Sequence, residues 1–462
     1  MLIPVTLEAQ HCNCEENYQW VKKTFEDNDA GFQYIIDQKG KDAYEAHNQK
    51  TFLSVKNIRT VPECQQELIK WLKFFRKEHF GVAIKNQNNN ETKTSNPPEF
   101  FNIDEKRFLK HINSLSVPGL EGIWSTGTYK IGIIKTKENY TGFILDAPNT
   151  GWKKNQVKLK IASDGKTCDY WMRDFTKLDH VSIELIGNNF IRINRSINLR
   201  RESTHFPDSK NIENYITFLT QNQPYFQKLS AQTNYLRIPS FDLEYKKNID
   251  SIISSNLTSI TGSKNLIIDI RNNGGGGDSS YKNIIPLLYT NPIRTVGVAF
   301  YSTKLNNEAI LKYAQNPNLS QENRDFYKKF YEKLNQNLGK YVSLTDQEVS
   351  VKELDKIMPN PVNVAIIINE ANASSAEQFL LTAKQSRKVK LFGTTTLGAL
   401  DISNQTEVDS PDGNFEFWYC MSKSYRIPEM TVDNVGIQPD YYIDRTVSEE
   451  NWLDFVQKTL ED

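Results

Sequence analysis

One stretch constrains the fold of this chain more than any other: Val362 to Gly398, VNVAIIINEANASSAEQFLLTAKQSRKVKLFGTTTLG. The apolar run Val364 to Ile368 predicts a buried strand, and the Asn-Glu-Ala-Asn-Ala that follows predicts a turn. Ser374-Ser375-Ala376-Glu377 then opens an amphipathic helix carrying Phe379, Leu380 and Ala383, and a second strand, Val389 to Gly393, comes directly after. The result is a βαβ unit with a hydroxyl at its strand-to-helix corner. There the first N–H groups of the helix lack intrahelical partners and present positive potential. Such a corner suits a nucleophilic serine. It also suits a plain cap, with Ser374 or Ser375 capping the helix and Glu377 closing a capping box.

Alternation of strands and helices extends upstream. Asn234 to Phe241 reads as a strand, Leu243 to Thr258 as a helix, Leu266 to Ile270 as a buried strand, and Ser279 to Tyr289 as a further helix. This order predicts an α/β core with a partly parallel sheet over residues 201–462, broken by a charged helical insertion at 306–344. Residues 117–200 carry short strand-like runs separated by Gly, Asn and Asp turns, so a small antiparallel β domain is expected there. Residues 15–116 read as a helical N-terminal domain with an Asn-rich loop at 86–98, and residues 1–14 as a tail. The expected class is α+β, in several domains.

Composition narrows the function. The 56 Lys and Arg balance 56 Asp and Glu, which argues against the basic face that nucleic acid requires. No apolar run approaches the roughly 18 residues of a membrane span. MLIPVTLEAQ resembles the end of a secretory leader, so a secreted or periplasmic protein is expected. Of five cysteines, Cys64 is placed to bridge to Cys12 or Cys14, while the isolated Cys168 and Cys420 are expected reduced or buried. His11, Cys12 and Cys14 crowd three donors into four residues, a poor spacing for zinc, and neither a metal nor a cofactor is expected.

A second corner, Arg271-Asn272-Asn273-Gly274-Gly275-Gly276-Gly277, follows the strand Leu266 to Ile270. It lacks the Lys-Ser/Thr of a phosphate loop, since Asp278 stands there, and its spacing is not that of a dinucleotide-binding turn. Its glycine N–H groups, with the N–H of Ser375, would serve as an oxyanion hole. Leu266-Ile-Ile-Asp-Ile-Arg-Asn-Asn-Gly-Gly-Gly, then Asn369-Glu with Ser374-Ser-Ala-Glu377 and Gly393-Thr-Thr-Thr-Leu-Gly398, then Gly436-Ile-Gln-Pro-Asp440, together resemble the C-terminal processing peptidases of family S41. The resemblance covers roughly residues 230 to 445. It implies a serine peptidase with a ClpP/crotonase-like core, Ser374 as nucleophile, the backbone of Gly275, Gly276 and Ser375 as oxyanion hole, and a polypeptide substrate added to a sheet edge.

The chain departs from the processing branch at the base. That branch places a lysine after the second-motif glycine, and here Gly398 is followed by Ala399. Lys384 and Lys423 lie nearby in sequence but match no motif position. The tricorn branch would place a histidine where this chain has Arg237. A related Ser-His-acid branch carries its histidine in a His-x-Gly-Val context after the N-terminal helices, which matches His79-Phe80-Gly81-Val82, and its acid three residues before Gly436, at Asp433. Independently, serine needs a positioned base, and a neutral imidazole oriented by a carboxylate suits it. The six histidines all lie at or before His205, so any histidine base folds back from upstream. His205 is the second choice, and His79 has an alternative role as a helix-terminal histidine, as Asp433 has as a turn residue. Asp269 is expected to pair structurally with an arginine, and Glu377 to support the helix cap and dipole. Trp418 and Tyr425 are candidates for a substrate cleft or for the core. Two functions remain open: a serine endopeptidase acting through Ser374, His79 and Asp433, and a catalytically silent S41-fold module that binds a ligand or protein. An oligomer is compatible with either.

Overall fold

The computed structural model describes residues 12–85, 98–137, 139–203, 206–345 and 347–462. Most of the N-terminal tail, nearly all of the Asn-rich loop and His205 lie outside the described residues. The chain divides into two compact units, one of Met1–Gln87, Gln223–Val447 and Phe455–Asp462, the other of Asn88–Asn222 and Ser448–Asp454.

The first unit is built on a six-stranded sheet in the order Tyr225–Lys228, Thr233–Arg237, Asn265–Asp269, Asn363–Ile368, Val389–Gly393, Tyr441–Tyr442. Only the first pair is antiparallel. The central strands are buried along their length, so their unbroken Val, Ile and Leu runs are what a sheet covered on both faces requires. Helices Lys246–Thr261 and Ser375–Ala383 contribute Ile249, Ile253, Phe379 and Leu380 to that core. The predicted helix at 279–289 is instead a 3-10 turn, Asp278–Tyr281, and a short helix, Ile285–Leu288. Pro286 has no N–H to donate four residues back, so a continuous helix cannot pass it.

A second sheet in the same unit is antiparallel. Its long strand Phe415–Ser424 pairs with Gly81–Ile84, Ile402–Asp409 and Val298–Tyr301, and the last pairs with Tyr341–Ser343. Phe417, Tyr419 and Met421 from this strand share a core with the N-terminal helices Cys14–Asn28, Phe32–Lys39, Lys41–Val55 and Val61–Leu72. A disulfide joins Cys14 to Cys64 across the first and last of these helices. Cys12, Cys168 and Cys420 are buried free thiols. The charged insertion forms two helices, Lys304–Gln315 and Gln321–Asn335.

The second unit holds a closed barrel of eight strands, from Gly122–Ser125 to Ile197–Arg201, each paired with its sequence neighbour and the last with the first. Closure leaves no open edge in that sheet for strand addition. Helix Glu105–Asn113 sets Phe108 and Ile112 against Phe143.

Candidate active site

The parallel register that pairs Ile268 with Ile366 and Asp269 with Ile367 ends both strands at the same sheet edge. The glycine corner and the serine corner therefore lie side by side, as ligand sites do in open α/β sheets. Asn372 ties them together by donating from Nδ2 to the Asn273 carbonyl at 3.0 Å, and Ser375 Oγ donates to the Gly276 carbonyl at 2.9 Å. Gly275 has φ 107° and Gly276 φ 134°. A Cβ on Gly275 would meet Ser374 Cβ at 2.7 Å, and one on Gly276 would meet the Phe241 carbonyl carbon at 2.3 Å, so glycine alone permits this approach. The Gly275 N–H is taken by Asn273 Oδ1 at 3.0 Å. The N–H groups of Gly276 and Ser375 have no acceptor among the described residues. Beneath the corner Asp269 is wholly buried and paired with Arg271 at 2.6 Å, the structural role expected of it.

Ser374 does not cap its helix. Its side chain makes no capping hydrogen bond, and its backbone sits at φ 55°, ψ −126°, where a serine is strained. Glu377 does not close a capping box either, which corrects the expectation from sequence. The conformation of Ser374 turns its N–H away from Glu377, and that N–H donates to the Ala399 carbonyl at 2.8 Å. The buried Glu377 carboxylate instead receives Thr396 Oγ1 at 2.5 Å and the N–H groups of Gly398 and Ala399 at 2.8 and 2.9 Å. Burial raises its pKa above the usual carboxylate value, and those three donors partly offset the rise.

His79 comes from the loop between helix Val61–Leu72 and strand Gly81–Ile84, with φ 64°. Its Nδ1 lies 2.6 Å from the Ile402 carbonyl. A carbonyl can only accept, so Nδ1 carries the proton in this contact and Nε2 keeps its lone pair. Burial lowers the pKa of the imidazole, while the Ile402 carbonyl and the charge of Asp433 act the other way. Asp433 accepts from the N–H groups of Leu400, Asp401 and Ile402 at 2.6, 2.7 and 3.2 Å. Its carboxylate thus holds the segment whose carbonyl orients His79. Burial raises the pKa of Asp433, and neighbouring Asp401 adds to the rise. Asp401 in turn pairs with Arg426 at 2.7 Å and accepts from the N–H of Asp433 at 2.9 Å.

Two groups that hold the His79 backbone were barely marked in the sequence. Arg76 forms a buried two-pronged pair with Asp29, at 2.8 and 2.6 Å, and donates to the His79 carbonyl at 2.8 Å. Cys420 Sγ lies 3.2 Å from the same carbonyl and 3.5 Å from that of Ile402. Their one visible trace was the position of Arg76 three residues before His79. Lys384 donates to the Gln438 carbonyl, and the Lys423 amine lies 4.4 Å over the Tyr341 ring. Trp418 stands opposite Gly81 on strand Phe415–Ser424, and Tyr425 follows the far end of that strand. Seven residues of extended chain separate them by roughly 20 Å, too far to share a small pocket. Among the described residues one group has metal-donor spacing, Asp169, Asp179 and His180 in the barrel unit, and Lys177 already pairs with both carboxylates at 2.7 and 2.5 Å.

A parallel sheet with a strained serine and a glycine corner at one end, and a histidine whose ring binds the same short segment that holds the serine N–H, fits the class of serine-type hydrolases. Residues 232–443 match the sequence model of peptidase family S41. That part of the chain, a little under half of it, is similar to the S41 peptidases, a family of serine-type peptidases. No curated protein matches the chain in sequence. Among solved structures, mature CPAF superposes with a TM-score of 0.52 at 12% identity, covering 97% of this chain and 96% of its own. CPAF complexed with lactacystin gives the same score and identity over 97% of both chains. A serine-to-alanine mutant of CPAF gives 0.51 at 13% identity, over 97% of this chain and 96% of that one. At such identities the likeness is one of fold. No helix among the described residues is long and apolar enough to cross a membrane.

Proposed function

We propose that the protein is an endopeptidase that cleaves polypeptides through an acyl-enzyme on Ser374. His79 Nε2 takes the Ser374 proton as Oγ attacks the scissile carbonyl, and later returns it to the leaving amine. The N–H groups of Gly276 and Ser375 receive the oxyanion, with the Gly275 backbone packed against the nucleophile. Asp433 stabilises the imidazolium by its charge and holds the Leu400–Ile402 backbone that orients the ring. One observation carries this reading: Ser374 N–H and His79 Nδ1 bind carbonyls only three residues apart, Ala399 and Ile402, on one braced segment.

Labelling with a fluorophosphonate tests it. Wild-type protein is expected to label on Ser374 and to cleave casein, Ser374→Ala to do neither, and His79→Ala to lose cleavage by about a hundredfold or more. Folded wild-type protein that takes no label would favour the silent binding module, and full cleavage by His79→Ala would remove histidine from the mechanism. The Cys14–Cys64 disulfide supports a secreted or periplasmic location, since such bonds persist in oxidising compartments. Fractionation of the native host with a tagged chain checks the location.

A further inference from the structure

The barrel unit holds a cavity of about 520 Å³. Lys158 in its wall is wholly buried. Strand alternation alone would set Lys158 on the opposite face from Leu159, which packs in the barrel core. Phe143 pairs with Val157 and Gly142 with Leu159, however, so Lys158 is the extra residue of a β-bulge. Bulges re-aim side chains, and this one turns the lysine inward. Its Nζ lies 4.0 Å from the ring centre of Trp152, 4.1 Å from that of Tyr129 and 4.9 Å from that of Tyr170.

The amine makes no ion pair, although the charge of Asp174 reaches it and partly offsets the cost of burial. Its one hydrogen bond, to the Met172 carbonyl, is long at 3.4 Å, and no carboxylate lies within ion-pair distance among the described residues. Burial accordingly pulls its pKa down to about 7. Two more polar atoms on the same wall, the Tyr129 hydroxyl and Asn198 Oδ1, are buried with no hydrogen-bond partner. Arg173 and Arg200 complete a lining that contains three cations and no acid. Native proteins rarely leave so many buried polar groups unpaired in one place, and barrel mouths commonly hold ligands.

We propose that this cavity binds a small organic carboxylate. Lys158 and the Tyr129 hydroxyl receive the anionic end, the Tyr129 and Tyr170 rings take an apolar body, and Asn198 Oδ1 accepts from a hydroxyl or amide on it. The basic rim attracts the anion. Aromatic faces alone would leave the lysine without the opposite charge that a carboxylate supplies.

Calorimetric titration of the full chain at pH 6.5 with 4-hydroxyphenylacetate tests this. Saturable one-to-one binding is expected, at least tenfold weaker for the neutral 4-hydroxyphenylacetamide and for inorganic phosphate, which lack the charge and the apolar body respectively. Lys158→Met removes an unpaired amine at similar volume and is expected to fold and to weaken binding tenfold or more. Tyr129→Phe removes one unpaired hydroxyl, is expected to weaken binding several-fold, and decides the matter if the lysine variant does not fold. No heat up to about 10 mM ligand, equal binding of the amide or of phosphate, or undiminished binding in the folded variants overturns the proposal.

Discussion

Asp433→Asn separates the two roles of this carboxylate. In the native site Oδ1 accepts from Leu400 and Asp401 and Oδ2 from Ile402. An asparagine oxygen can keep the first two bonds, but its amide nitrogen then faces the Ile402 N–H, donor against donor. One charge-assisted bond is lost, about 1.5–3 kcal/mol, and the negative charge that favours the imidazolium goes with it. Together the transition state should lose roughly 2–4 kcal/mol, a fall in kcat/KM of about 30- to 1,000-fold. Folding should suffer less, because the variant also relieves the burial of a carboxylate beside Asp401. The assay is kcat/KM on a fluorogenic peptide across pH, with thermal unfolding alongside. Asp433 holds the pKa of His79 up, so the acid limb of the variant's profile should move to lower pH. A kcat/KM within about threefold of wild type, or a limb that moves up, would refute the electrostatic role assigned to this residue.

Three further outcomes follow from the same geometry. Gly275→Ala places a methyl 2.7 Å from Ser374 Cβ at φ 107°, so a lower thermal midpoint, by roughly 2–5 kcal/mol in stability, and loss of fluorophosphonate labelling are expected. Arg76→Met leaves Asp29 buried without its partner and releases the His79 carbonyl. A cost of about 3–5 kcal/mol, read by denaturation, should accompany a fall in kcat/KM. On the proposed mechanism the neutral imidazole of His79 is the active form, and burial lowers its pKa, so kcat/KM should hold as pH falls through 6.5 and decline only below it. The unfolded chain protonates first in that window, so stability contributed by His79 is lost as pH falls from about 6.5 to the folded value.

The serine corner and its glycine neighbour were legible because their marks are local. Apolar runs that end in Ser-Ser or in four glycines announce both strand and turn, and a parallel register then brings the corners together. The barrel was half legible. Its turns and short alternating runs mark an antiparallel β domain, but closure rests on pairing the first strand with the last, Trp124 with Arg201, which no local pattern announces. The orienting group of His79 could not be read at all, since it is a backbone carbonyl and Ile402 offers nothing in its side chain to mark it. Glu377 was misread for a related reason: the capping-box pattern assumes a serine in extended conformation, and Ser374 has positive φ.

The segment Gly398–Ile402 explains how the site is assembled without the lysine that the processing branch carries at position 399. Its five consecutive N–H groups are all held by buried carboxylates, Gly398 and Ala399 by Glu377, and Leu400, Asp401 and Ile402 by Asp433. With every N–H held, the carbonyls have little freedom. Ala399 presents its oxygen to the Ser374 N–H and Ile402 presents its own to His79. In the lysine-bearing branch this segment would supply the base from a side chain. In this chain it supplies two carbonyls instead, one that holds the Ser374 backbone and one that sets the tautomer of His79, the proposed base, brought from more than 300 residues upstream. Two acids at opposite ends of one short loop therefore brace Ser374 and His79 separately, and on the proposed mechanism the nucleophile and the base with them. Glu377→Gln should impair the serine end, seen first as slower labelling, and Asp433→Asn the histidine end, seen first in the pH profile. Because the two share one backbone, their effects on kcat/KM should fall short of additive when combined.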